Sequence, residues 1–170
     1  MFNIVFHEPE IPGNSGSTIR LSAVTGAKLH LIEPLGFDMD EKKVRRAGLD
    51  YHDMAHLSIH HNFDDFLKQY PQQTVYAFSG SGTSLYSDIH YKPGDVLLFG
   101  KESDGLAPEI MNHPRVKEVV RIPMTEGSRS LNLASSAALV TYEAWRQNNF
   151  AGSLDHGTDS IEPFIYPHQH

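Results

Sequence analysis

Residues 119–147, VVRIPMTEGSRSLNLASSAALVTYEAWRQ, combine a strand, a loop and a helix in one segment. A run of β-branched residues ends at Pro123, which is typical of the carboxyl end of a buried strand. A loop rich in Gly, Ser and Thr follows, and small or apolar residues then recur at helical spacing. These residues are Leu133, Ala137, Val140 or Thr141, and Ala144. A strand, a loop rich in backbone donors and a helix N-terminus form a site for a polar ligand at the edge of an α/β sheet.

The composition limits the classes of protein to which the chain can belong. Its 170 residues are enough for one domain with a substantial core, and the absence of cysteine excludes disulfides, thiolate metal sites and a cysteine nucleophile. The first residues lack a signal peptide pattern and no run approaches the length of a membrane span, so we expect a cytoplasmic protein without membrane contact. The net charge of −7 means that an anionic partner must be held by a local basic surface.

The rest of the chain alternates between apolar runs and segments that favour helices. Strands are expected at residues 2–6, 28–33, 75–79 and 95–99, with an ambiguous strand at 54–59. One helix is expected to start after a cap at Asn14 or Ser15 and to end at Gly26. Further helices are expected at 40–47, 63–70 and 108–111. This alternation predicts an α/β fold, a mostly parallel sheet with helices on both faces, in a single domain of residues 1–148. Residues 149–170 lack periodicity and are predicted to form an extended tail.

Polar side chains gather in three loops that follow predicted strands. The loops are PGNSGSTIR at 12–20, FGKESDGL at 99–106, and residues 122–132. A glycine directly after a buried strand, such as Gly100, lets a ligand approach the backbone closely. Each loop also has an ordinary structural explanation as a helix cap or a solvated turn. The sequence contains neither the Lys-Ser/Thr ending of a phosphate loop nor a GxGxxG pattern.

Taken together, PGNSGSTIR, LLFGKESDGL and IPMTEGSRSLNLASSAALVTYEAWRQ resemble the three motifs of the SPOUT superfamily of RNA methyltransferases. Within it, the chain is most similar to the small single-domain tRNA (cytidine/uridine-34) 2′-O-methyltransferases, which NIVFHEPEIPGN and KKVRRAGLDYH also resemble. The resemblance runs from the N-terminus through Gln147. One position departs from the pattern, because Ser17 stands where the family usually has Asn.

The resemblance implies a sheet whose C-terminal part, from about residue 75, is tied in a deep trefoil knot, a rare exception among protein folds. It also implies S-adenosylmethionine (SAM) as cofactor, bound in the loops at 79–83, 100–106 and 122–130 and released as S-adenosylhomocysteine. The cofactor-binding residues that it implies are Phe78, Gly100, Ile122, Met124, Ser130 and Leu131. The family forms homodimers, with the helix that carries Tyr142 at the interface.

The implied reaction is methylation of the ribose 2′-hydroxyl of wobble nucleotide 34 of tRNA, with leucine tRNAs as the expected substrates. The catalytic residues that the resemblance implies are Arg20, Asn14, Glu102, Ser130 and Asn132. Because a sulfonium is a good leaving group, the transfer needs alignment and a group that polarises or deprotonates the hydroxyl, and it needs no metal. The family assigns that activation to the position of Arg20. An arginine hardly ever gives up its proton, so we favour a substrate phosphate acting with Arg20, or Arg20 stabilising the developing alkoxide.

Four basic residues fall within five positions, and they are Lys42, Lys43, Arg45 and Arg46. Such a run is often a solvated helix face, but in an acidic chain it is the best local surface for RNA phosphates. Arg129 is a further candidate for RNA contact, with pairing to Glu102 or Glu126 as the alternative.

Eleven histidines raise the question of a metal site, especially His52, His56, His60 and His61. The strand expected at 54–59 would spoil the spacing of these side chains, and the resembled family uses no metal, so we predict no metal site. Two alternatives stay open: methylation of another RNA, such as ribosomal RNA, and a non-catalytic RNA-binding module of the same fold. A flavodoxin-like small-molecule binder is disfavoured because the acidic EPEIPGN segment is a poor phosphate loop.

Overall fold

The computed structural model describes residues 1–157 and shows a seven-stranded sheet with helices packed on both faces. The strands are β1 (Asn3–His7), β2 (Lys28–Ile32), β3 (Leu57–His60), β4 (Val75–Phe78), β5 (Ser84–Leu85), β6 (Val96–Phe99) and β7 (Val116–Arg121). The helices are α1 (Pro12–Thr25), α2 (Glu41–Arg46), α3 (Tyr51–Met54), α4 (Phe63–Gln69), α5 (Pro108–Met111) and α6 (Leu133–Gln147). The predicted α/β class is therefore confirmed.

The sheet has the strand order β3-β2-β1-β6-β4-β7-β5, and each of its strand pairs is parallel. Because all strands run in one direction, the loops that follow β1, β4, β6 and β7 meet at a single edge. Strand β6 (VLLF) is buried on both faces, as is typical of a central parallel strand. Strand β7 lies between β4 and β5, although both precede it in the chain.

Two hydrophobic layers cover the faces of the sheet. One layer joins α1 and α6 to the strands, and the other joins α4 and α5. The small face predicted for α6 is confirmed, since Ala137, Val140 and Ala144 are fully buried in the first layer. Small side chains let this helix approach the sheet and α1 closely. Within residues 1–157, no helix combines the length and apolarity needed to cross a membrane.

The prediction that Asn14 or Ser15 caps the first helix is wrong. The helix begins at Pro12, and both residues lie buried inside its first turns. Proline is favoured at the first helical position because it has no N–H to leave unsatisfied. The predicted end is correct, because Gly26 adopts φ 79° and donates its N–H to the carbonyl of Ser22.

The ambiguous strand predicted at 54–59 is partly wrong. Its first position, Met54, belongs to α3, and β3 starts only at Leu57. The helix forms there because Asp50 and Asp53 close a capping box, in which each side chain accepts the other residue's N–H.

The chain turns sharply after α6. The indole Nε1 of Trp145 donates to the carbonyl of Ala151 at 2.9 Å, and the Phe150 ring lies 5.5 Å from that of Trp145. The segment predicted as an extended tail thus begins with turns that pack on α6. Residues 158–170 of that segment lie outside the described residues.

Candidate functional site

A cavity of about 440 Å³ opens at the carboxyl edge of the sheet. Its walls come from the start of α1, the ends of β4 and β6 with the loops that follow them, and the segment between β7 and α6. Open parallel sheets bind ligands at this edge, and the volume suits a small molecule.

Most residues that the sequence predicts to act in catalysis or cofactor binding line this one cavity. The nine that do so are Asn14, Phe78, Gly100, Glu102, Ile122, Met124, Ser130, Leu131 and Asn132. Three loops that are far apart in sequence therefore converge on one place. The tenth residue, Arg20, lies outside the cavity wall. The wall also contains Ser79, Gly80 and Ser103, which lie in the expected cofactor loops but were not named individually, and Ser136 in the first turn of α6, which the sequence did not indicate.

A chain of hydrogen bonds connects the three loops. Asn132 Nδ2 donates to Asn14 Oδ1 at 3.0 Å, and Asn14 Nδ2 donates to Glu102 Oε2 at 3.1 Å. Asn132 also caps α6, because its Oδ1 accepts the N–H of Ser135. Each amide oxygen and nitrogen thus has a defined partner, which fixes the orientation of both asparagines at the cavity.

Glu102 anchors the start of α1. Its Oε1 accepts the N–H of Glu10 at 2.8 Å, and its Oε2 accepts the N–H of Ile11 at 2.6 Å. The N-cap residue of α1 is Ile11, whose apolar side chain cannot accept a hydrogen bond, and the Glu102 carboxylate instead binds the two backbone N–H groups that directly precede the helix. A negative charge at this end also interacts favourably with the helix dipole. The alternative pairing of Glu102 with Arg129 is wrong, because the carboxylate is directed at α1.

A second pair of contacts fastens the same two segments. Glu10 Oε1 accepts hydrogen bonds from the Oγ of Ser103 at 2.6 Å and from its N–H at 2.9 Å, and these bonds lower the pKa of the Glu10 carboxyl. Lys101 Nζ lies 3.3 Å from Glu8 Oε2. The acidic segment before α1 and the KES segment after β6 are thus complementary. In the sequence, only position indicated this contact, because each segment directly follows a strand and the two strands are neighbours in the sheet.

Gly100 is required by the chain's own backbone. A Cβ atom at this position would lie 2.1 Å from the carbonyl carbon of Gly105 and 2.2 Å from the nitrogen of Leu106. The loop closes on itself here, with a bridge between Lys101 and Gly105. The sequence suggested that Gly100 lets a ligand approach the backbone closely. In the structure, the loop's own backbone makes this close approach.

The opposite wall of the cavity is apolar. The ring of Phe78 stacks on that of Phe99, with centroids 4.8 Å apart and an interplanar angle of 13°. Ile122 continues this wall, while Met124 and Leu131 are about half exposed at the mouth. An apolar wall facing a few fixed polar groups is typical of a site for a nucleoside-like ligand.

Arg20 lies on α1 beyond the cavity. Its Nη2 donates to the carbonyl of Gly48 at 2.9 Å and lies 3.5 Å from Oδ2 of Asp53. The guanidinium therefore connects α1 to the turn between α2 and α3. The side chain of Arg20 is 35% exposed, whereas that of Asp53 is only 11% exposed, so Arg20 is the more accessible member of the pair.

The four basic residues predicted to contact RNA are all exposed on or beside α2, and we call Lys42, Lys43, Arg45 and Arg46 the basic patch. Lys43 lies 3.8 Å from Asp38. Arg129 is also exposed, and in residues 1–157 it takes part in none of the ion pairs that the structure shows.

The histidines considered for a metal are dispersed over several elements. His52 belongs to α3, while His60 is buried in β3 beside His30. Among residues 1–157, no group of three or more His, Cys, Asp or Glu side chains is arranged to hold a metal ion.

Comparison with known proteins gives consistent matches. The model of the SpoU rRNA methylase family matches residues 1–142. A tRNA (cytidine(34)-2′-O)-methyltransferase of Saccharophagus degradans is 50% identical over 153 residues, which are 90% of this chain and 99% of that protein. A solved structure concerned with the 2-OH methylation of C/U34 on tRNA is 41% identical with a TM-score of 0.80, covering 88% of this chain and 97% of that one. An AdoMet-bound rRNA methyltransferase from Sinorhizobium meliloti is 28% identical with a TM-score of 0.74, covering 85% of this chain and 56% of that longer one.

Proposed function

The chain belongs to the SpoU rRNA methylase family, and on this premise we propose that it transfers a methyl group from SAM to the 2′-hydroxyl of nucleotide 34 of tRNA. The nucleotide is cytidine or uridine, and leucine tRNAs are the expected substrates. The observation that carries the proposal is the convergence of three loops on one cavity, joined by the Asn132–Asn14–Glu102 hydrogen bonds. The catalytic unit is the domain of residues 1–148.

The cavity fits SAM in size and chemistry. Its volume of about 440 Å³ and its apolar wall suit an adenosine group, and the carboxylate of Asp104 in its lining suits a cofactor with a positive charge. The residues proposed to hold it are Phe78, Gly100, Ile122, Met124, Ser130 and Leu131. When bound, SAM supplies a methyl group on a sulfonium, which is activated without a metal. The AdoMet-bound relative from Sinorhizobium meliloti supports this choice.

Some residues of the site hold its helices and loops in position, and others interact with the charge of the substrate. Asn14 and Asn132 hold each other and align the start of α1 with the start of α6. Glu102 fastens α1 to the cofactor loop, since its oxygens are engaged by backbone and amide N–H groups. Ser130 is exposed at the mouth, where its hydroxyl can contact the ribose. Alignment of this kind contributes strongly to a two-substrate transfer.

Arg20 acts as a permanent cation in this scheme. Its guanidinium donates hydrogen bonds and cannot serve as a base at physiological pH. We assign it to a substrate phosphate that accepts the proton of the hydroxyl, or to the alkoxide that develops as the hydroxyl loses its proton to water. The contacts with Asp53 and with the carbonyl of Gly48 hold the guanidinium at one place on α1.

RNA is proposed to lie across the basic patch, with Arg129 as a further phosphate contact. All five side chains are exposed, and they concentrate positive charge in a chain whose net charge is −7. Phosphate contacts of this kind supply affinity without reading sequence.

The proposal includes the trefoil knot, the homodimer and a cytoplasmic location. The knot is supported by the loop at 79–83, which crosses the end of β7: Ser79 and Thr83 donate to the carbonyls of Val120 and Val119, at 3.0 and 3.2 Å. The dimer is supported by Leu139 and Tyr142, which are 38% and 41% exposed on α6. The cytoplasm is the compartment of the proposed tRNA substrate.

The test is methyl transfer from labelled SAM to bulk tRNA, with the wild type beside Arg20→Ala. After digestion to nucleosides, we expect label on a ribose 2′-oxygen at position 34 with the wild type and little label with Arg20→Ala. Label on ribosomal RNA alone would replace tRNA as the substrate. Binding of SAM and tRNA without transfer to any RNA would identify a binding module and contradict the enzyme proposal.

A further inference from the structure

Tyr51 is the most exposed of the large apolar and aromatic side chains in residues 1–157. It is 93% exposed, and Leu154 follows at 67%. Aromatic side chains contribute most when they are buried, and they are enriched where proteins bind partners. A fully exposed ring is therefore a feature that needs an explanation.

The backbone that carries this ring is held on both sides. Leu49 is only 7% exposed and belongs to the hydrophobic core. Asp50 and Asp53 close the capping box around Tyr51, at 2.9 and 3.0 Å. The ring is thus presented to solvent from a rigid turn, so little conformational entropy is lost when a partner covers it.

The position of Tyr51 relates it to the proposed reaction. The turn that precedes it supplies the Gly48 carbonyl that binds Arg20, and Asp53 in its own helix pairs with the same guanidinium. Arg20 is six residues along α1 from Asn14 in the cavity wall, or about 9 Å along the helix axis. Arg20 therefore connects the helix that carries Asn14 to the helix that carries Tyr51.

The surroundings of Tyr51 favour an anionic partner. The basic patch ends five residues before it, and His52 beside it is exposed. Two carboxylates on this segment are turned toward the backbone, because Asp40 accepts the N–H of Lys43 and Asp50 accepts the N–H of Asp53. Asp38 is also exposed, and it lies 3.8 Å from Lys43.

A binding surface for single-stranded RNA needs two components, cations that bind phosphates and an exposed aromatic ring, and both are present here. Cations bind the backbone, while a ring gives an unpaired base a surface on which to stack. We propose that Tyr51 stacks on an unpaired base next to the nucleotide that is methylated, while the basic patch holds the phosphates of the same strand. This inference rests on the proposed function and adds to it a residue that selects single-stranded RNA.

The experiment uses the full chain and an RNA hairpin whose loop contains cytidine 34 and a 2-aminopurine at position 33 or 35. Stacking quenches the fluorescence of 2-aminopurine. With Tyr51→Ala we expect the quenching to disappear and the affinity for the hairpin to fall about 5- to 150-fold, as for a lost base stack. With Tyr51→Phe, which keeps the ring, both should stay close to wild type, and Tyr51→Leu should behave like Tyr51→Ala.

Controls separate stacking from other effects of the substitution. The affinity for SAM should be the same in all variants, because Tyr51 is outside the cavity. Leu154→Ala removes another exposed apolar side chain outside the basic patch and should leave hairpin binding unchanged.

Three results would overturn the inference. They are wild-type affinity and quenching with Tyr51→Ala, full rescue by Tyr51→Leu, or a loss of affinity that follows dissociation of a dimer in size-exclusion chromatography with light scattering. Absence of RNA binding and methylation in the wild type would instead count against the proposed function itself.

Discussion

At the scale of single residues, Asp53 controls the environment of the cation proposed to act on the substrate. Its carboxylate has two contacts, one with the N–H of Asp50 and one with the guanidinium of Arg20. An asparagine at this position keeps an oxygen for the N–H of Asp50 but loses the charge that faces Arg20. The two contacts can therefore be separated by one isosteric substitution.

We expect Asp53→Asn to lower kcat/KM for methyl transfer by about 2- to 30-fold, corresponding to a coupling of about 0.5 to 2 kcal/mol between neighbouring residues. Asp50→Asn is the matched control, because it alters the other half of the capping box without a contact to Arg20. The double variant Asp53→Asn/Arg20→Ala should be no worse than Arg20→Ala alone. Additive losses in this cycle would show that Asp53 does not act through Arg20.

The buried pair of His30 and His60 makes the stability of the fold dependent on pH. His30 Nδ1 and Nε2 lie 3.0 Å from His60 Nε2 and from Asn3 Oδ1, respectively. Because the Asn3 oxygen can only accept, His30 donates from Nε2 and accepts from His60 at Nδ1, so it is neutral. Burial beside Phe66 and Tyr70, with a smaller contribution from His60 and Lys28, lowers the pKa of His30 to about 3, and burial also lowers the pKa of His60.

A histidine whose pKa is lowered in the native state destabilises the fold in acid. Between the unfolded pKa near 6.5 and the native value near 3, the unfolded chain binds a proton that native His30 does not, so stability falls by about 1.4 kcal/mol per pH unit. Urea unfolding at pH 7, 6 and 5 measures this loss. His30→Gln cannot titrate, so we expect it to be less stable than wild type at pH 7 and the difference to shrink toward pH 5. A constant difference would mean that His30 does not contribute to the pH dependence.

At the scale of elements, the loop after β6 is shaped by its own backbone. Gly100 and Gly80 both line the cavity, but a Cβ at Gly100 would lie 2.1 Å from the Gly105 backbone, whereas a Cβ at Gly80 would meet nothing within 4 Å. The two glycines are therefore a matched pair in which only one position lacks room for a methyl group.

We expect Gly100→Ala to displace the loop, to lower the free energy of unfolding by about 1 to 3 kcal/mol or more, and to weaken SAM binding strongly. Gly80→Ala should bind SAM nearly as well as wild type and unfold at a similar urea concentration. Calorimetric titration with SAM and urea unfolding measure the two effects. Equal behaviour of the two variants would contradict the assignment of Gly100 to loop closure.

At the scale of the whole molecule, local patterns predicted most of the elements, although not α3 or β5, and the sheet topology determined which of them meet at the cavity. Periodicity identified the buried face of α6, and the glycine directly after β6 indicated the cavity residue Gly100, whereas Phe78 was implied by the family resemblance. The attachment of Glu102 to the start of α1 was not predictable in this way, because Glu102 lies 91 residues from Ile11 in the chain. Strand β6 brings them together by inserting between β1 and β4, an order that no local pattern encodes.

Arg20 shows a second limit of prediction from local sequence, because the structure separates two residues that the sequence groups together. Its loop pattern grouped it with Asn14, but the rotation of a helix over six residues directs the two side chains differently. The structure therefore assigns Asn14 to the cavity and Arg20 to the turn at Gly48. The capping box at Asp50 was present in the sequence, yet the apolar alternation that follows it favoured a strand.

The distribution of charge over the whole molecule gives the last prediction. A chain with a net charge of −7 repels RNA at long range, so binding must come from the basic patch and must weaken as salt rises. We expect the plot of log affinity for tRNA against log salt to become less steep by about 0.7 for each phosphate contact removed from a single strand, for example with Lys42→Gln. Lys68→Gln is the matched control, because it makes the same change in net charge on α4, which packs on the opposite face of the sheet and pairs with Asp65 at 3.9 Å. If both variants reduced the slope equally, overall charge and not the basic patch would govern RNA binding.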